Sequence, residues 1–436
     1  MTAPGPGRGT SYWWAIGLAG AVVLGGILRL AWVMDMEYKG DEAWTFDRTQ
    51  QLSRTDPFPW VGMRLHVGVH SPGLTLWIFL AISKIAGGRD PAALARAVQL
   101  LNTAAIALLV LFAWRCIDAE EREPWLWAAA LVSVNPIAVL FHRKIWSPSV
   151  IPIFTLMMLM SWWYRHRRWG ALGWGLAGAV LGQVQASGFF FAGGFLAWAM
   201  LFDRKRVAWP SWLVGSCLGT LPLAPWFRYL WAEFPHRQAA TFKWTRLLEF
   251  KFWTRWVTEP LGLGLEGSLG PHFRDFLAYP MAGGRPTYLV LVLHAVVIGA
   301  GVLIFAGAAH RLWLARPQWR SLCIGRESPT AFTESAALWG YGILLSASGL
   351  AFQRHYMIVT FPLMFVWLAR AALARPATRL TSAAGARLLL LTLCIGQALL
   401  SASLLEYIHV NGGAPRGDYG VAYGAQRSPI HPPLDY

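Results

Sequence analysis

Two carboxylates stand side by side in Tyr38-Lys39-Gly40-Asp41-Glu42-Ala43-Trp44, a few residues beyond the first apolar run of the chain. A carboxylate on a loop between two membrane segments is placed to take a proton from a hydroxyl at the headgroup plane. The same acids could instead cap a helix beginning near Ala43, whose free amide groups favour negative charge. Successive helical residues lie about 100° apart, so only one of the pair can face a given substrate. Two further polar groups interrupt apolar sequence: Phe141-His142-Arg143-Lys144-Ile145-Trp146-Ser147-Pro148 and Phe352-Gln353-Arg354-His355-Tyr356. Their cations can hold an anion through charge-assisted hydrogen bonds, or snorkel to a membrane surface with their stems in lipid. His70, in His70-Ser71-Pro72, ends the loop that carries Asp41. No H-x-x-x-H or Asp-x-Asp pattern occurs in that loop, and Asp35-Met36-Glu37 is the nearest thing to a paired-acid motif. No metal site and no cofactor is expected, with a divalent cation left open. Cys116, Cys217, Cys323 and Cys394 are scattered without ligand spacing and read as small apolar residues.

The elements that must position these residues are membrane helices. Of 436 residues 56% are hydrophobic and 14% charged, and the mean hydropathy is +0.41, against about 25% charge in soluble domains. The 26 tryptophans suit membrane–water interfaces. The net charge of +16 sits in short loops between apolar runs, which argues for positive-inside topology and membrane lipids and against nucleic acid. Twelve apolar segments read as candidate spans: Tyr12–Met34, Pro72–Gly88, Leu94–Trp114, Pro124–Phe141, Ile145–Tyr164, Trp169–Gln185, Gly188–Phe202, Trp209–Trp231, Thr287–Leu314, Ser335–Phe352, Tyr356–Ala374 and Leu388–Ile408. The basic loops at Arg165–Arg168, Arg204–Arg206, Arg311–Arg326 and Arg370/Arg375/Arg379 read as cytoplasmic. Asp35–Ser71, Phe227–Pro286, Gln353–His355 and the C-terminal tail then face outward. One inconsistency follows. Both ends of Leu94–Trp114 come out cytoplasmic, so a segment between residues 72 and 141 fails to cross or a span is uncounted.

The expected fold is therefore all-α: a polytopic transmembrane helical bundle of eleven to thirteen spans, forming one membrane domain over 1–436. Its first outer loop (35–71) carries Asp41, and a second outer segment (227–286) carries interfacial helices. Within the latter, Thr241–Val257 suits a helix lying in the headgroup layer through Lys243, Arg246, Lys251 and Arg255, or a lid packed on the bundle. Arg29 and Arg96 lie near helix ends, where they can snorkel, and neither is expected to act in catalysis.

A first span, a Gly-Asp-Glu-Ala-Trp loop and a proline-led return to the membrane resemble the GT-C glycosyltransferases, above all the protein O-mannosyltransferase and lipid A aminoarabinose transferase branch. The resemblance implies transfer of a sugar from a polyprenyl-phosphate donor to a lipid, glycan or protein acceptor at the cell envelope. It implies a multi-pass protein of the cytoplasmic membrane with its site on the outer face. In that family the Asp of the pair is the essential acid, which carries over to Asp41, with Glu42 beside it. His70 stands where a lysine is often found, as a possible substrate-binding residue. Phe141–Pro148 resembles the family's S-R-x-x-R-P-D segment without its final Asp, and Arg354-His355-Tyr356 followed by Pro362 resembles its R-x-Y turn. Arg143, Lys144, Arg354, His355 and Tyr356 then form the expected donor-phosphate set, because a departing lipid phosphate gains negative charge. Inversion at the sugar needs only one base. The competing readings are a transporter or lipid flippase, and an inactive GT-C relative serving as an assembly partner.

Overall fold

An apolar chain in lipid must satisfy its own backbone groups, and a helix does so within one segment. The structure is a computed structural model that describes residues 8–51, 58–64, 69–233, 246, 249–374 and 382–427. Each of the twelve apolar segments is mainly helical in it. The first half contains α1 (Arg8–Leu30), α2 (Gly40–Gln51), α3 (Leu74–Ala86), α4 (Pro91–Cys116), α5 (Arg122–Val134), α6 (Pro136–Phe141), α7 (Ile151–Trp163), α8 (Arg168–Val184), α9 (Ser187–Phe202), α10 (Trp209–Thr220) and α11 (Ala224–Glu233). Then follow three short helices, α12 (Lys251–Thr258), α13 (Leu265–Leu269) and α14 (Phe273–Ala278), before the long α15 (Leu289–Leu314) and the short α16 (Trp319–Ile324). α17 (Pro329–Ser335) continues through a π-helical stretch into α18 (Gly342–Ala347), and the chain ends with α19 (Leu363–Leu373), α20 (Ala383–Asn411) and α21 (Tyr423–Gln426). By length and apolarity α4, α15 and α20 could each cross a membrane alone, and the 3-10 turn Arg354–Thr360 with α19, bent by 69°, makes a fourth.

Two polar layers bound these rods. In the first, Trp32, just past α1, stacks on His409 of α20 with ring centroids 4.6 Å apart. The Tyr423 amide donates to the Met36 carbonyl (3.0 Å) and its hydroxyl to Asp90, immediately before α4 (3.0 Å). The end of α1, the start of α4 and the end of α20 therefore share the layer that holds Asp41. In the opposite layer Arg387 of α20 bridges Glu123 of α5 (2.7 Å), and Arg165 after α7 bridges Asp203 after α9 (2.7 Å).

The placement of α3 bears on the inconsistency in the sequence between residues 72 and 141. α8 starts in the opposite layer, and the carbonyl of Val184 at its far end accepts the hydroxyl of Thr75, at the start of α3 (2.9 Å). At the other end of α3 the Gly88 carbonyl accepts Gln50 of α2 (2.8 Å), two residues before Asp90. Both ends of α3 lie in the Asp41 layer. Its 13 residues run along that layer, against the antiparallel hairpin of β1 (Val61–Arg64) and β2 (His70–Pro72), and among the described residues eleven helical rods, several of them built from two shorter helices, run between the two layers.

Arg29 does not snorkel. It is fully buried and donates to the carbonyls of Gly25, Val132 and Ser133 and to His142 Nδ1 (3.1 Å), tying α1 to α5. A Cβ at Gly25 would stand 2.6 Å from the Ser133 carbonyl, so this approach of α1 to α5 requires glycine. Arg96 is exposed near the start of α4, as expected. Residues Thr241–Thr245, with Lys243, and Arg375 and Arg379 lie outside the described residues. The described part of the proposed interfacial helix, α12, packs Phe252 and Trp256 into the bundle, with Phe252 5.4 Å from Tyr341.

Candidate active site

The Asp41 loop leaves α1 through Trp32, which adopts a left-handed backbone (φ 45°). The Glu42 carboxylate then turns back to accept the amide of Lys39 (3.1 Å), three residues earlier. That is half of a capping box, so Glu42 serves the start of α2. Asp41, one residue away on the helix, is exposed on another face. Glu42 is buried, and burial raises its carboxyl to about 7, with Lys144 opposing the shift and Glu37 adding to it.

A second wall comes from the break between α5 and α7. Asn135 stops α5 and caps α6 by accepting the amides of Ile137 and Ala138, both at 3.0 Å. α6 then lasts only to Phe141, and the polar residues after it divide. Arg143 turns back into the bundle and donates to the carbonyls of Leu28 (2.7 Å), Arg29 (3.1 Å), Ala31 (2.7 Å) and Trp32 (3.0 Å), capping α1. Lys144 turns the other way and pairs with Glu37 at 2.5 Å. Trp146 donates its indole N–H to Asp41 Oδ2 (3.2 Å). Its ring lies 4.4 Å from the Lys144 ammonium and edge-on to His355 at 4.9 Å.

The third wall is the turn at Arg354. Its guanidinium grips both oxygens of Glu259 (2.9 and 3.2 Å) and donates to the Gly264 carbonyl (2.6 Å). Arg255 of α12 reaches the same carboxylate at 3.4 Å. Burial pushes the Glu259 carboxyl up, and the charge of Arg354 pulls it back. Gly264 has φ +106°, and a Cβ there would stand 2.6 Å from Arg255 Nη1. The last wall is Asp418, from the segment after α20, whose carbonyl and carboxylate both engage Lys39.

These groups enclose one pocket of about 430 Å³, lined among others by Asp41, Glu42, Lys144, Trp146, Arg354 and His355. Its charges form two matched sets. Lys39 and Lys144 share Glu37 (2.7 and 2.5 Å), and Arg255 and Arg354 share Glu259. Asp418 also meets Lys39 (3.4 Å) and Glu266 also meets Arg255 (3.9 Å), so Lys144 and Arg354 each share their single carboxylate with a cation that has a second partner. An anion with a nearby proton donor is what such a pocket can hold.

Three expected site residues stand elsewhere. Arg143 spends its donors on α1. Tyr356 does not line the pocket: its ring packs on His355 and Phe352, and its carbonyl accepts the Tyr341 hydroxyl (2.8 Å). His70 bonds the Gly62 carbonyl through Nδ1 (2.7 Å) and sits edge-on to Tyr229 of α11. Sequence reasoning did not place Glu37, Lys39, Trp146, Glu259 and Asp418 at this pocket, and left Arg255 on a helix either in the headgroup layer or packed as a lid on the bundle. Glu37 carried a signal, being four residues before Asp41 in the same loop; Asp418 carried none. Among the described residues no three His, Cys, Asp or Glu side chains converge as metal ligands would. Asp35 pairs with His409 (2.7 Å) while Glu37 faces the lysines, so the paired-acid motif is split.

No protein-family model matches the sequence, and no curated protein matches it. In three dimensions the chain is similar to ArnT from Cupriavidus metallidurans in the apo state, with a TM-score of 0.51 and 14% identity, over 95% of this chain and 78% of that one. ArnT from the same organism bound to undecaprenyl phosphate gives a TM-score of 0.49 and 13% identity, over 95% and 75%. The oligosaccharyltransferase AglB from Archaeoglobus fulgidus, in complex with an inhibitory peptide and a dolichol-phosphate, gives 0.46 and 14%, over 99% of this chain and 62% of that one. At these identities the likeness is one of fold, shared with ArnT.

Proposed function

We propose that this protein is an inverting membrane glycosyltransferase that moves a sugar from a polyprenyl-phosphate donor to an acceptor on the outer face of the cytoplasmic membrane. In this reading the eleven rods cross the bilayer, α3 lies in the outer headgroup layer, and the basic loops of the opposite layer face the cytoplasm. The observation that carries it is the single pocket in which Asp41 meets Lys144, Arg354 and His355, brought from segments far apart in sequence. The pocket lies just beyond the end of α1, which in this reading sets it at the level of a lipid carrier's phosphate.

In the reaction the acceptor hydroxyl oxygen forms a bond to the anomeric carbon as the bond from that carbon to the phosphate oxygen breaks. The hydroxyl proton passes to the Asp41 carboxylate, which the Trp146 indole holds in place. The departing polyprenyl phosphate gains charge, which Lys144 on one side and Arg354 with Arg255 on the other offset. The carboxylates Glu37 and Glu259 fix these cations before substrate arrives, so little reorganisation is required. The acceptor is a lipid, glycan or protein hydroxyl, approaching past α12 and the segment around Asp418.

The test is turnover of a polyprenyl-phosphate sugar by purified protein. Asp41→Asn should lower the rate by about 10²–10⁴-fold while membrane insertion and donor binding persist. Full activity in that variant would sink the mechanism. A wild-type protein that binds the lipid but never consumes it would favour the flippase reading instead.

A further inference from the structure

The loops of the opposite layer enclose a second pocket, of about 660 Å³, lined by Arg165, Arg204, Lys205, Arg206 and Arg326. It is built rather than incidental. The Arg165 carbonyl accepts the Ala208 amide (3.2 Å), its side chain bridges Asp203, and its guanidinium lies 5.1 Å from the Phe332 ring. Those contacts join the α7/α8 loop, the α9/α10 loop and α17. Trp198 of α9 donates to the Ile324 carbonyl (3.3 Å), which fixes the turn presenting Arg326. Gly325 makes that turn at φ +78°, where a Cβ would meet the Ala331 carbonyl at 2.3 Å.

The charges in this pocket are not balanced. Its two acids are already engaged, Asp203 by Arg165 and Arg206, and Glu327 by Arg370. Among the described residues Arg204, Lys205 and Arg326 have no carboxylate within ion-pair distance, and all three are exposed. Free cations converging on a concavity are a site for an anion with several acceptor oxygens. The rim is apolar on one side, where Leu201 is 70% exposed and Phe202 and Phe332 complete the lining. A free inorganic anion has no use for that rim, whereas a lipid presents its phosphate and its acyl chain together at this depth.

We propose that this pocket binds the phosphate headgroup of an anionic phospholipid, with the cations on the phosphate and Leu201 against the chain. The proposal is independent of the transferase reading. It is tested by native mass spectrometry of the purified full-length chain with short-chain phosphatidylglycerol, phosphatidylcholine or inorganic phosphate. Wild type should retain phosphatidylglycerol at least about tenfold more tightly than phosphatidylcholine. Joint replacement Arg204→Ala, Lys205→Ala and Arg326→Ala should abolish that preference. Arg204→Lys with Arg326→Lys should keep most of it, which guards against a variant that merely misfolds. Arg167→Ala, Arg168→Ala and Arg320→Ala remove as much charge from the same layer outside the pocket and should leave the preference intact. Equal loss in that control, or a preference surviving the pocket triple variant, would overturn the site. Full displacement of phosphatidylglycerol by an equal concentration of inorganic phosphate would replace the lipid with a free anion.

Discussion

Arg354 illustrates why a cation in the pocket cannot be tested by deletion alone. Its bidentate partner Glu259 is 1% exposed, and removing one member of a buried pair costs about 3–5 kcal/mol because the other is stranded. Arg354→Ala is therefore expected to lower both thermal stability and donor use. Arg354→Ala with Glu259→Gln should regain much of the melting temperature without regaining donor affinity, since the neutral amide no longer needs a cation while the phosphate still does. If the double variant binds donor like wild type, Arg354 is a structural residue only. Glu42 gives a pH prediction. Its carboxyl titrates near 4.5 when free and near 7 in the fold, so the folded state binds more protons in that interval. Stability is full below the lower value and is lost as pH climbs through the upper one. The wild-type melting temperature should fall between about pH 5 and pH 8, and Glu42→Gln, which can still accept the Lys39 amide, should flatten that slope. An unchanged slope would remove Glu42 as its source. Asp41 was singled out in the sequence by the resemblance of its loop to the GT-C transferases, since an acid pair just past a span can equally cap a helix, as Glu42 does. The division of labour between Arg143 and Lys144 was not legible, since adjacent residues in a non-helical turn point in directions that only the neighbouring carbonyls of α1 decide.

At the scale of elements, α1 depends on a residue more than a hundred positions away. Its last carbonyls lack intrahelical partners, and Arg143 supplies four hydrogen bonds to that end, including one to the left-handed Trp32. Charge-assisted bonds contribute about 1.5–3 kcal/mol each to stability when isolated and less when shared. Arg143→Met should thus destabilise the protein strongly, and Arg143→Lys, which keeps the charge but loses the fork, should recover only part of the loss. With saturating donor, the folded fraction of Arg143→Lys should turn over at close to the wild-type rate. A large loss of kcat with normal stability would instead return Arg143 to the reaction. Helices were the most legible elements, because an apolar run in lipid has little alternative. α3 was the exception: an apolar run of its length reads alike whether it crosses a bilayer or lies along it. What decides is the polar partners at its two ends, Val184 and Gln50, and these are remote in sequence.

For the whole molecule the two layers have different chemistry. The Asp41 layer pairs its buried Glu37 and Glu259 with cations, while among the described residues the opposite layer carries arginines without a carboxylate partner at Arg167, Arg204 and Arg326, alongside one acidic loop, Ile117–Glu121. Such an asymmetry orients a membrane protein with the basic layer toward the cytoplasm. In the proposed topology, α3 within the Asp41 layer makes the number of crossings odd and sets Asp418, after the last rod, on the side opposite to the start of α1. A twelve-span arrangement would carry the end of α3 to the cytoplasmic side. Ile85 distinguishes the two, since it is 87% exposed at that end of the helix. In a cysteine-free background, Ile85→Cys and Asp418→Cys should react with an impermeant maleimide added to intact cells, and Arg167→Cys and Arg204→Cys only after permeabilisation. Labelling of Ile85→Cys together with Arg167→Cys would restore the crossing of α3. It would also separate α3 from Asp90 and Tyr423, and so dismantle the frame on which the Asp41 pocket is built.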